Sequence, residues 1–320
     1  MQEKTKPLIN TTFKKEVYEG LTAFPKFLSS KYFYDEVGDK LFQDIMAMPE
    51  YYLTNTEFDI LSEHKDKITS LFGNDFSLFE LGAGDGKKTK ILLEHLSKNN
   101  IDFDYRPIDI SQNALEQLKK SVSAELPNVL INTLQGTYFE TLKNIDENST
   151  KRKIILFLGS NIGNLLHPQA IDFLQKIHAI LDKEDLVFMG FDQKKNPQTI
   201  LDAYNDKTGI TEAFNKNILT RINAEMGGNF NLENFTHWEV YDPESGTAKS
   251  YLVSKVKQEV VIEALELQLH FDAWETIHTE ISQKYDDKVV TWLSEQANLK
   301  IIAQFADNEN LYKNYIFKKA

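Results

Sequence analysis

The chain has 320 residues, which is more than one minimal domain needs and is suited to two domains or one domain with a large insertion. Apolar residues make up 41% and charged residues 26%, a composition typical of a folded protein and not of a disordered one. The 36 basic and 48 acidic side chains give a net charge of −12, which repels nucleic-acid phosphates and anionic membranes. We therefore expect neither a nucleic acid nor a membrane as a partner.

The absence of cysteine excludes disulfides, thiolate zinc sites and a cysteine nucleophile. The 7 histidines have no metal-ligand spacing, so we predict that the protein binds no metal. The first residues lack an apolar stretch of signal-peptide length, and no run of about 18 apolar residues occurs. We expect a cytoplasmic monomer that acts on a small molecule.

Residues 11 to 66 are predicted to be helical, because apolar side chains recur there at spacings of three and four. Pro49 interrupts the pattern, and Thr54 or Thr56 is predicted to cap the next helix, which carries Phe58, Ile60 and Leu61 on its apolar face. The apolar positions before the interruption are Phe13, Val17, Leu21, Phe24, Leu41, Phe42, Ile45 and Met46.

From residue 76 the pattern changes to strands alternating with helices. Continuous apolar strands followed by amphipathic helices indicate a parallel sheet covered on both faces, which is a doubly wound α/β core. The predicted strands are 76–81, 104–110, 128–133, 153–158 and 185–191, and the predicted helices are 88–98, 112–124 and 168–181.

The alternation stops near residue 196. Residues 197–225 are predicted to be helical, and 227–285 are predicted to form antiparallel strands with turns at Gly227-Gly228 and at 243–246. A helix at 287–297 and strands at 300–306 and 311–318 then complete the sheet. The predicted division is an N-terminal helical part at 1–66, a core at 67–195 and 287–320, and an insertion at 196–286 that joins the N-terminal part in a second, α+β lobe.

A glycine-rich turn follows the first predicted strand of the core. Residues 79–86 read FELGAGDG, in which Gly82 and Gly84 allow positive φ and a close approach of the backbone to a ligand. The spacing is neither the dinucleotide fingerprint nor a P-loop. Taken alone, the turn fits a purely structural role equally well.

Asp109 ends the next strand, near the distance after the glycines at which an acidic side chain binds ribose hydroxyls. Its alternative role is to cap the helix at 112, although Ser111 could do so instead. We therefore favour a cofactor that contains adenosine, and the lack of a P-loop Lys–Ser/Thr pair argues against ATP.

Several motifs together resemble one family, from about Pro25 to the C-terminus. The glycine turn is similar to motif I of S-adenosylmethionine-dependent methyltransferases, and the whole set resembles the histidine-specific Nα-methyltransferases of ergothioneine biosynthesis. The further motifs are PEYY at 49–52, Thr56-Glu57, FLGSNIGNL at 157–165, AYND at 203–206, FNKNIL at 214–219 and TEISQK at 279–284.

The resemblance implies a Rossmann-like methyltransferase core that binds S-adenosylmethionine through Gly82, Lys88 and Asp109. It places Thr137 and Tyr138 beside the adenine. The family usually has an acidic residue and Phe at these two positions, so we expect weaker cofactor binding.

The resemblance also implies a histidine-binding site. Glu280 and Ser282 lie two apart on a predicted strand, so they share a face, and a carboxylate beside a hydroxyl complements an imidazole. For single residues, a solvated Glu280, an Asn164 that caps a helix and packing tyrosines are simpler interpretations. The predicted substrate residues are Tyr51, Asn164, Tyr204, Glu280, Ile281 and Ser282, with Tyr34 and Phe42 lining the pocket and with Asn164 and Tyr34 positioning the reactants.

A second departure is the Lys249-Ser250-Tyr251 stretch, where the family commonly has an acidic residue, Met and His before Leu252. The smaller Ser250 could loosen recognition of the substrate side chain. The resemblance predicts methyl transfer from S-adenosylmethionine to the α-amine of histidine, toward trimethylhistidine. The alternatives are methylation of another amino acid or a tryptophan-like amine, and a non-catalytic binding module.

Overall fold

The computed structural model describes residues 11–143 and 151–320. These residues form two compact units. The core unit comprises Leu53–Lys194 and Gln283–Ala320, and the insert unit comprises the described residues up to Tyr52 together with Lys195–Ser282. None of the described helices is long and apolar enough to cross a membrane.

The helices and strands follow one another along the chain with short connections. The helices are α1 (Thr11–Thr22), α2 (Glu36–Ala47), α3 (Tyr52–Phe72), α4 (Thr89–Lys98), α5 (Gln112–Glu125), α6 (Tyr138–Lys143), α7 (His167–Ile180), α8 (Pro197–Tyr204), α9 (Ile210–Met226) and α10 (Asp287–Gln296). The strands are β1 (Lys26–Phe27), β2 (Phe76–Leu81), β3 (Phe103–Asp109), β4 (Leu130–Ile131), β5 (Leu134–Gln135), β6 (Arg152–Phe157), β7 (Leu186–Asp192), β8 (Phe235–Asp242), β9 (Thr247–Ser254), β10 (Gln258–Ile262), β11 (Leu267–Phe271), β12 (Thr276–Gln283), β13 (Leu299–Ala306) and β14 (Tyr312–Lys319).

The core unit contains one sheet in the order β13-β14-β7-β6-β2-β3-β4, with β5 also paired to β3. The pairs among β2, β3, β4, β6 and β7 are parallel, whereas β14 runs antiparallel to both β7 and β13. The predicted parallel arrangement therefore holds for β2, β3, β4, β6 and β7, and the final strands β13 and β14 make the sheet mixed by adding an antiparallel edge. The strand order reverses between β2 and β6, which is the point where doubly wound sheets bind ligands beyond the carboxyl ends of their strands.

Helices cover both faces of this sheet. Every residue of β2 and of β7 is buried, which accounts for their mostly apolar sequences. One face packs against α3, α4 and α5, and the other packs against α7 and α10. The core unit is thus a doubly wound α/β fold, as the sequence predicts.

Helix α3 differs from the prediction. It begins at Tyr52, so Thr54 and Thr56 lie inside the helix and do not cap it. Ile60 and Leu61 are buried in the cluster that covers one face of the sheet, so the helix belongs to the core unit from Leu53 onward and not to a lobe ending at residue 66.

Two further boundaries differ. The predicted strand 128–133 is shortened to β4, and the separate strand β5 lies just beyond its predicted end. The inserted segment ends at Ser282, inside β12, instead of at residue 286.

The insert unit has a sheet in the order β1-β12-β9-β8 and a separate β10-β11 hairpin. The predicted turn at 243–246 connects β8 to β9. Gly227 instead ends α9 with φ of +66°, a conformation that favours glycine. Apolar residues of α1, α9 and the strands form the core of this unit, with Phe13, Leu21, Ile218 and Leu252 almost completely buried.

Candidate active site

The glycine loop between β2 and α4 is shaped by three positive φ angles, of +71° at Gly82, +53° at Gly84 and +65° at Gly86. A Cβ on Gly82 would lie 2.7 Å from the Tyr138 hydroxyl, and a Cβ on Gly86 would lie 2.3 Å from Leu118. A Cβ on Gly84 would meet nothing within 4 Å. The loop therefore packs tightly at both ends and leaves open space over its middle glycine, where a ligand can contact the backbone.

Asp109 lies at the end of β3, beside this loop. Its Oδ2 accepts a hydrogen bond from the Gly84 amide at 3.4 Å, and its Oδ1 accepts one from the Ser111 amide at 2.9 Å. Ser111, and not Asp109, caps α5 by accepting from the Ala114 amide. A carboxylate can accept about four hydrogen bonds, so Asp109 retains the capacity to bind two hydroxyls.

Tyr138 and Thr137 follow β5 on the same side of the loop. Burial, followed by the charge of Asp109, raises the pKa of Tyr138, so its phenol stays neutral. Thr137 donates a hydrogen bond to Glu140 at 2.5 Å. Glu140 therefore supplies an exposed carboxylate next to the position where the family usually has one, which sequence reasoning missed because Glu140 lies three residues further on.

Lys88 lies at the start of α4, where its ammonium contacts the carboxylate of Glu57 at 2.5 Å. Glu57 is completely buried and also accepts hydrogen bonds from the Gly159 amide at 2.7 Å and from Asn314 at 2.8 Å. One carboxylate thus connects three parts of the core unit, which are the start of α4, the segment that follows β6, and strand β14. The sequence signal for this role was an acidic residue on the apolar side of α3, near Ile60 and Leu61.

Glu80 lies inside β2, directly before the glycine loop. It accepts hydrogen bonds from the hydroxyls of Thr89 and Tyr105 and is almost completely buried. Burial raises the pKa of Glu80 to about 7. This carboxyl group joins the end of β2 to the first residue of α4 and so fixes both sides of the loop.

Asn164 ends a short 3-10 turn after β6 in the core unit, and it is exposed. It does not cap α7, because the Leu166 amide at the start of that helix donates to Gln169. The capping alternative for Asn164 is therefore wrong.

Aromatic side chains in the insert unit form a continuous row. The ring of Tyr34 lies 5.6 Å from that of Phe42, Phe42 lies 6.3 Å from Tyr51, and Tyr51 lies 6.1 Å from Tyr204. The Tyr204 hydroxyl then shares a hydrogen bond of 2.8 Å with Ser282. Five residues that the sequence nominated for the substrate pocket are thus brought together, and Glu280 and Ile281 precede Ser282 on β12.

Ser250 does not leave a gap. It lies on β9 opposite Glu239 of β8 and donates a hydrogen bond to that carboxylate at 2.6 Å, and both residues are buried. Its carbonyl accepts from the Thr279 hydroxyl at 3.0 Å. The small side chain therefore holds a buried acidic group, which sequence reasoning missed because the two residues are joined only by strand pairing.

The polar side chain of Asn217 on α9 fixes the segment that carries Tyr34. It donates to the carbonyl of Phe33 and to Asp35, both at 2.9 Å, and Asp35 caps α2. The FNKNIL motif thus contains a residue that holds the start of the aromatic row in place.

The strand order, the glycine loop and the acidic residue Asp109 at the end of β3 define a Rossmann-like methyltransferase core. The family of SAM-dependent, histidine-specific methyltransferases matches residues 13–319, and the chain belongs to that family.

Two named relatives agree with this assignment. Histidine N-alpha-methyltransferase of Mycolicibacterium smegmatis is 35% identical over 283 residues, covering 88% of this chain and 87% of that protein. Ergothioneine biosynthesis protein 1 of Schizosaccharomyces pombe is 30% identical over 305 residues, covering 91% of this chain and 39% of that longer protein.

The cofactor of this family is S-adenosylmethionine, and the residues of the core unit fit it. The open space over Gly84 accommodates a ligand that contacts the backbone. Asp109 is held with acceptor capacity for ribose hydroxyls, and the Glu140 carboxylate held by Thr137 can accept from an adenine amino group.

Proposed function

We propose that the chain transfers methyl groups from S-adenosylmethionine to the α-amine of histidine. Membership of the histidine-specific family supports the reaction class. One observation carries the choice of substrate. The Tyr204 hydroxyl, at the end of the aromatic row, shares a hydrogen bond with Ser282, and Ser282 lies on the same strand, β12, as Glu280.

In the proposal, Glu280 and Ser282 recognise the imidazole ring. A neutral imidazole has one N–H donor and one nitrogen acceptor, which a carboxylate and a hydroxyl complement together. The indole of tryptophan has a single N–H donor and no ring acceptor, so it uses only half of this pair. Histidine is therefore the favoured substrate.

Tyr51 and Tyr204, both in the insert unit, are proposed to hold the amino and carboxylate groups of the substrate. Orientation of this kind can supply roughly 7–11 kcal/mol of a reaction barrier when reacting atoms are aligned. The residues therefore act by positioning, and the proposal requires none of them to form a covalent bond.

When bound, S-adenosylmethionine supplies an electrophilic methyl group on a positively charged sulfur. The α-amine must lose its proton before it attacks. A peptide α-amine has a pKa near about 8, and the carboxylate of a free amino acid raises that pKa somewhat, so a smaller but usable neutral fraction is present near neutral pH. Water, or Tyr34 at the far end of the aromatic row, is proposed to pass the proton toward solvent.

The proposal also describes the protein as a cytoplasmic monomer. The net charge of −12 supports the monomeric state, because like charges on the surface oppose association between copies. Light scattering during size-exclusion chromatography tests the oligomeric state, and the mass of a dimer would contradict that part of the proposal.

Mass spectrometry tests the function directly. The protein is incubated with S-adenosylmethionine and either histidine or tryptophan, and calorimetry with S-adenosylhomocysteine is run in parallel. We expect histidine to gain one, two or three methyl masses and tryptophan to gain none. Binding of both ligands without any mass gain would instead identify a non-catalytic module.

A further inference from the structure

The residue that ends α8 is held by a side chain from another element. Tyr204 is the last residue of the helix, and Asn205 leaves it with φ of −148°. The Tyr204 carbonyl accepts a hydrogen bond from Nε2 of His237 on β8 at 2.9 Å.

The imidazole of His237 is itself fixed. Its Nδ1 lies 2.7 Å from the side-chain amide of Asn215 on α9, and that amide also lies 3.4 Å from the Tyr251 carbonyl. Because a carbonyl only accepts, the amide nitrogen faces both partners, so Nδ1 accepts and Nε2 carries the proton. His237 is 6% exposed, and burial lowers the pKa of its imidazole, which favours the neutral form.

The residues that follow Tyr204 are connected to His237 through α9. Asp206, two residues after Tyr204, accepts hydrogen bonds from the amides of Ile210 at 3.1 Å and Thr211 at 2.7 Å, at the start of α9. The helix α9 then carries Asn215, which orients His237. The position of Tyr204 is therefore fixed from the following residues and from β8 together.

We propose that His237 is a positioning residue that holds Tyr204 so that its phenol meets Ser282. The inference rests on the proposed function, because the proposed function assigns histidine binding to Tyr204 and Ser282. His237 holds the backbone of the same residue whose phenol forms the 2.8 Å hydrogen bond with Ser282. A shift of the end of α8 therefore moves a substrate-binding hydroxyl directly.

Three substitutions of His237 distinguish the contributions of its two ring nitrogens. His237→Gln keeps a donor near the position of Nε2, His237→Asn keeps a group only near Nδ1, and His237→Phe keeps neither. His270→Phe is the matched control, because the His270 side chain lies on β11 and is 69% exposed. Each variant is titrated with S-adenosylhomocysteine and then, once saturated, with histidine.

We expect His237→Phe and His237→Asn to raise the Kd for histidine by about tenfold or more, the effect of one lost buried hydrogen bond. The Kd for S-adenosylhomocysteine should stay within about twofold, and His237→Gln should recover most of the histidine affinity. Wild-type histidine affinity in folded His237→Phe, equal loss of both ligands, or no recovery in His237→Gln would overturn the proposal.

If His237→Phe does not fold, two other measurements decide. Asn215→Leu releases the ring from the other side and should also weaken histidine binding selectively. Nitrogen-15 spectra of the wild-type protein should show the Nε2–H tautomer of His237, and the opposite tautomer would contradict the inference. If the wild-type protein methylates no histidine, the proposed function itself fails, and the tautomer spectrum still reports on the contact.

Discussion

The completely buried carboxylate of Glu57 contacts the ammonium of Lys88 at 2.5 Å. The same carboxylate accepts from Gly159 and Asn314, so three segments at the carboxyl edge of the core sheet depend on it. Lys88 was predicted from the family resemblance to bind the cofactor. Its contact with Glu57 indicates that Lys88 also positions the start of α4.

We predict that Glu57→Gln lowers the free energy of unfolding by about 1–3 kcal/mol, because it leaves a partly buried ammonium without its counter-charge. The variant should also bind S-adenosylhomocysteine more weakly, as the start of α4 loses its anchor. Urea unfolding and calorimetry measure the two effects. Glu94→Gln is the control, since it breaks an exposed pair with Lys98 and should change neither. Unchanged stability in Glu57→Gln would contradict the anchoring role.

A second prediction concerns Asp109, which is held between the loop and α5. Asp109→Asn removes the charge and replaces one acceptor oxygen with a donor, so it should raise the Kd for S-adenosylhomocysteine by about tenfold or more. Asp102→Asn, just before the opposite end of β3, is the matched control and should bind normally. Equal affinities in the two variants would argue against a ribose-binding role.

Glu80 predicts a pH dependence of stability. Burial raises the pKa of its carboxyl group from 4.5 to about 7, so the folded state binds the proton more tightly than the unfolded state. Its contribution is complete below pH 4.5 and is lost as the pH rises to about 7, amounting to a few kcal/mol.

Glu80→Gln mimics the protonated form, because its side-chain oxygen can accept from one of the Thr89 and Tyr105 hydroxyls while its amide nitrogen donates to the oxygen of the other. Denaturant unfolding at a series of pH values should therefore give a flatter dependence between pH 5 and 7 in Glu80→Gln than in the wild type, by about the amount of that one group. An equally steep dependence in both proteins would show that other groups cause it.

The proposed role of Glu280 predicts a selective loss. Glu280→Ala should greatly reduce histidine turnover, because the imidazole N–H loses its acceptor, while the affinity for S-adenosylhomocysteine stays nearly unchanged. Steady-state kinetics and calorimetry measure these separately. A parallel loss of both properties would mean that Glu280 supports the fold and does not recognise the substrate.

The sequence predicts the doubly wound core well because its signals are local. The fully buried strand β2, the glycines after it and the Ser111 cap of α5 each depend on neighbouring residues. The start of α3 at Tyr52 was predicted less well, because two threonines offered themselves as caps and both lie inside the helix.

The polar contacts of the site were hidden from the sequence for a different reason. Glu57 meets Asn314 across 257 positions, and His237 meets the Tyr204 carbonyl across 33. Glu239 and Ser250 meet only through the register of two strands. The motifs marked several of these residues, but only the fold indicates which atoms they hold.

The site of methylation on the product tests the central claim most directly. Histidine is incubated with the protein and S-adenosylmethionine carrying a carbon-13 methyl group, and the product is examined by NMR. We predict that the labelled methyl carbon couples to the proton on the α-carbon through the α-nitrogen. Coupling to the imidazole ring protons, or an unlabelled histidine, would contradict the account.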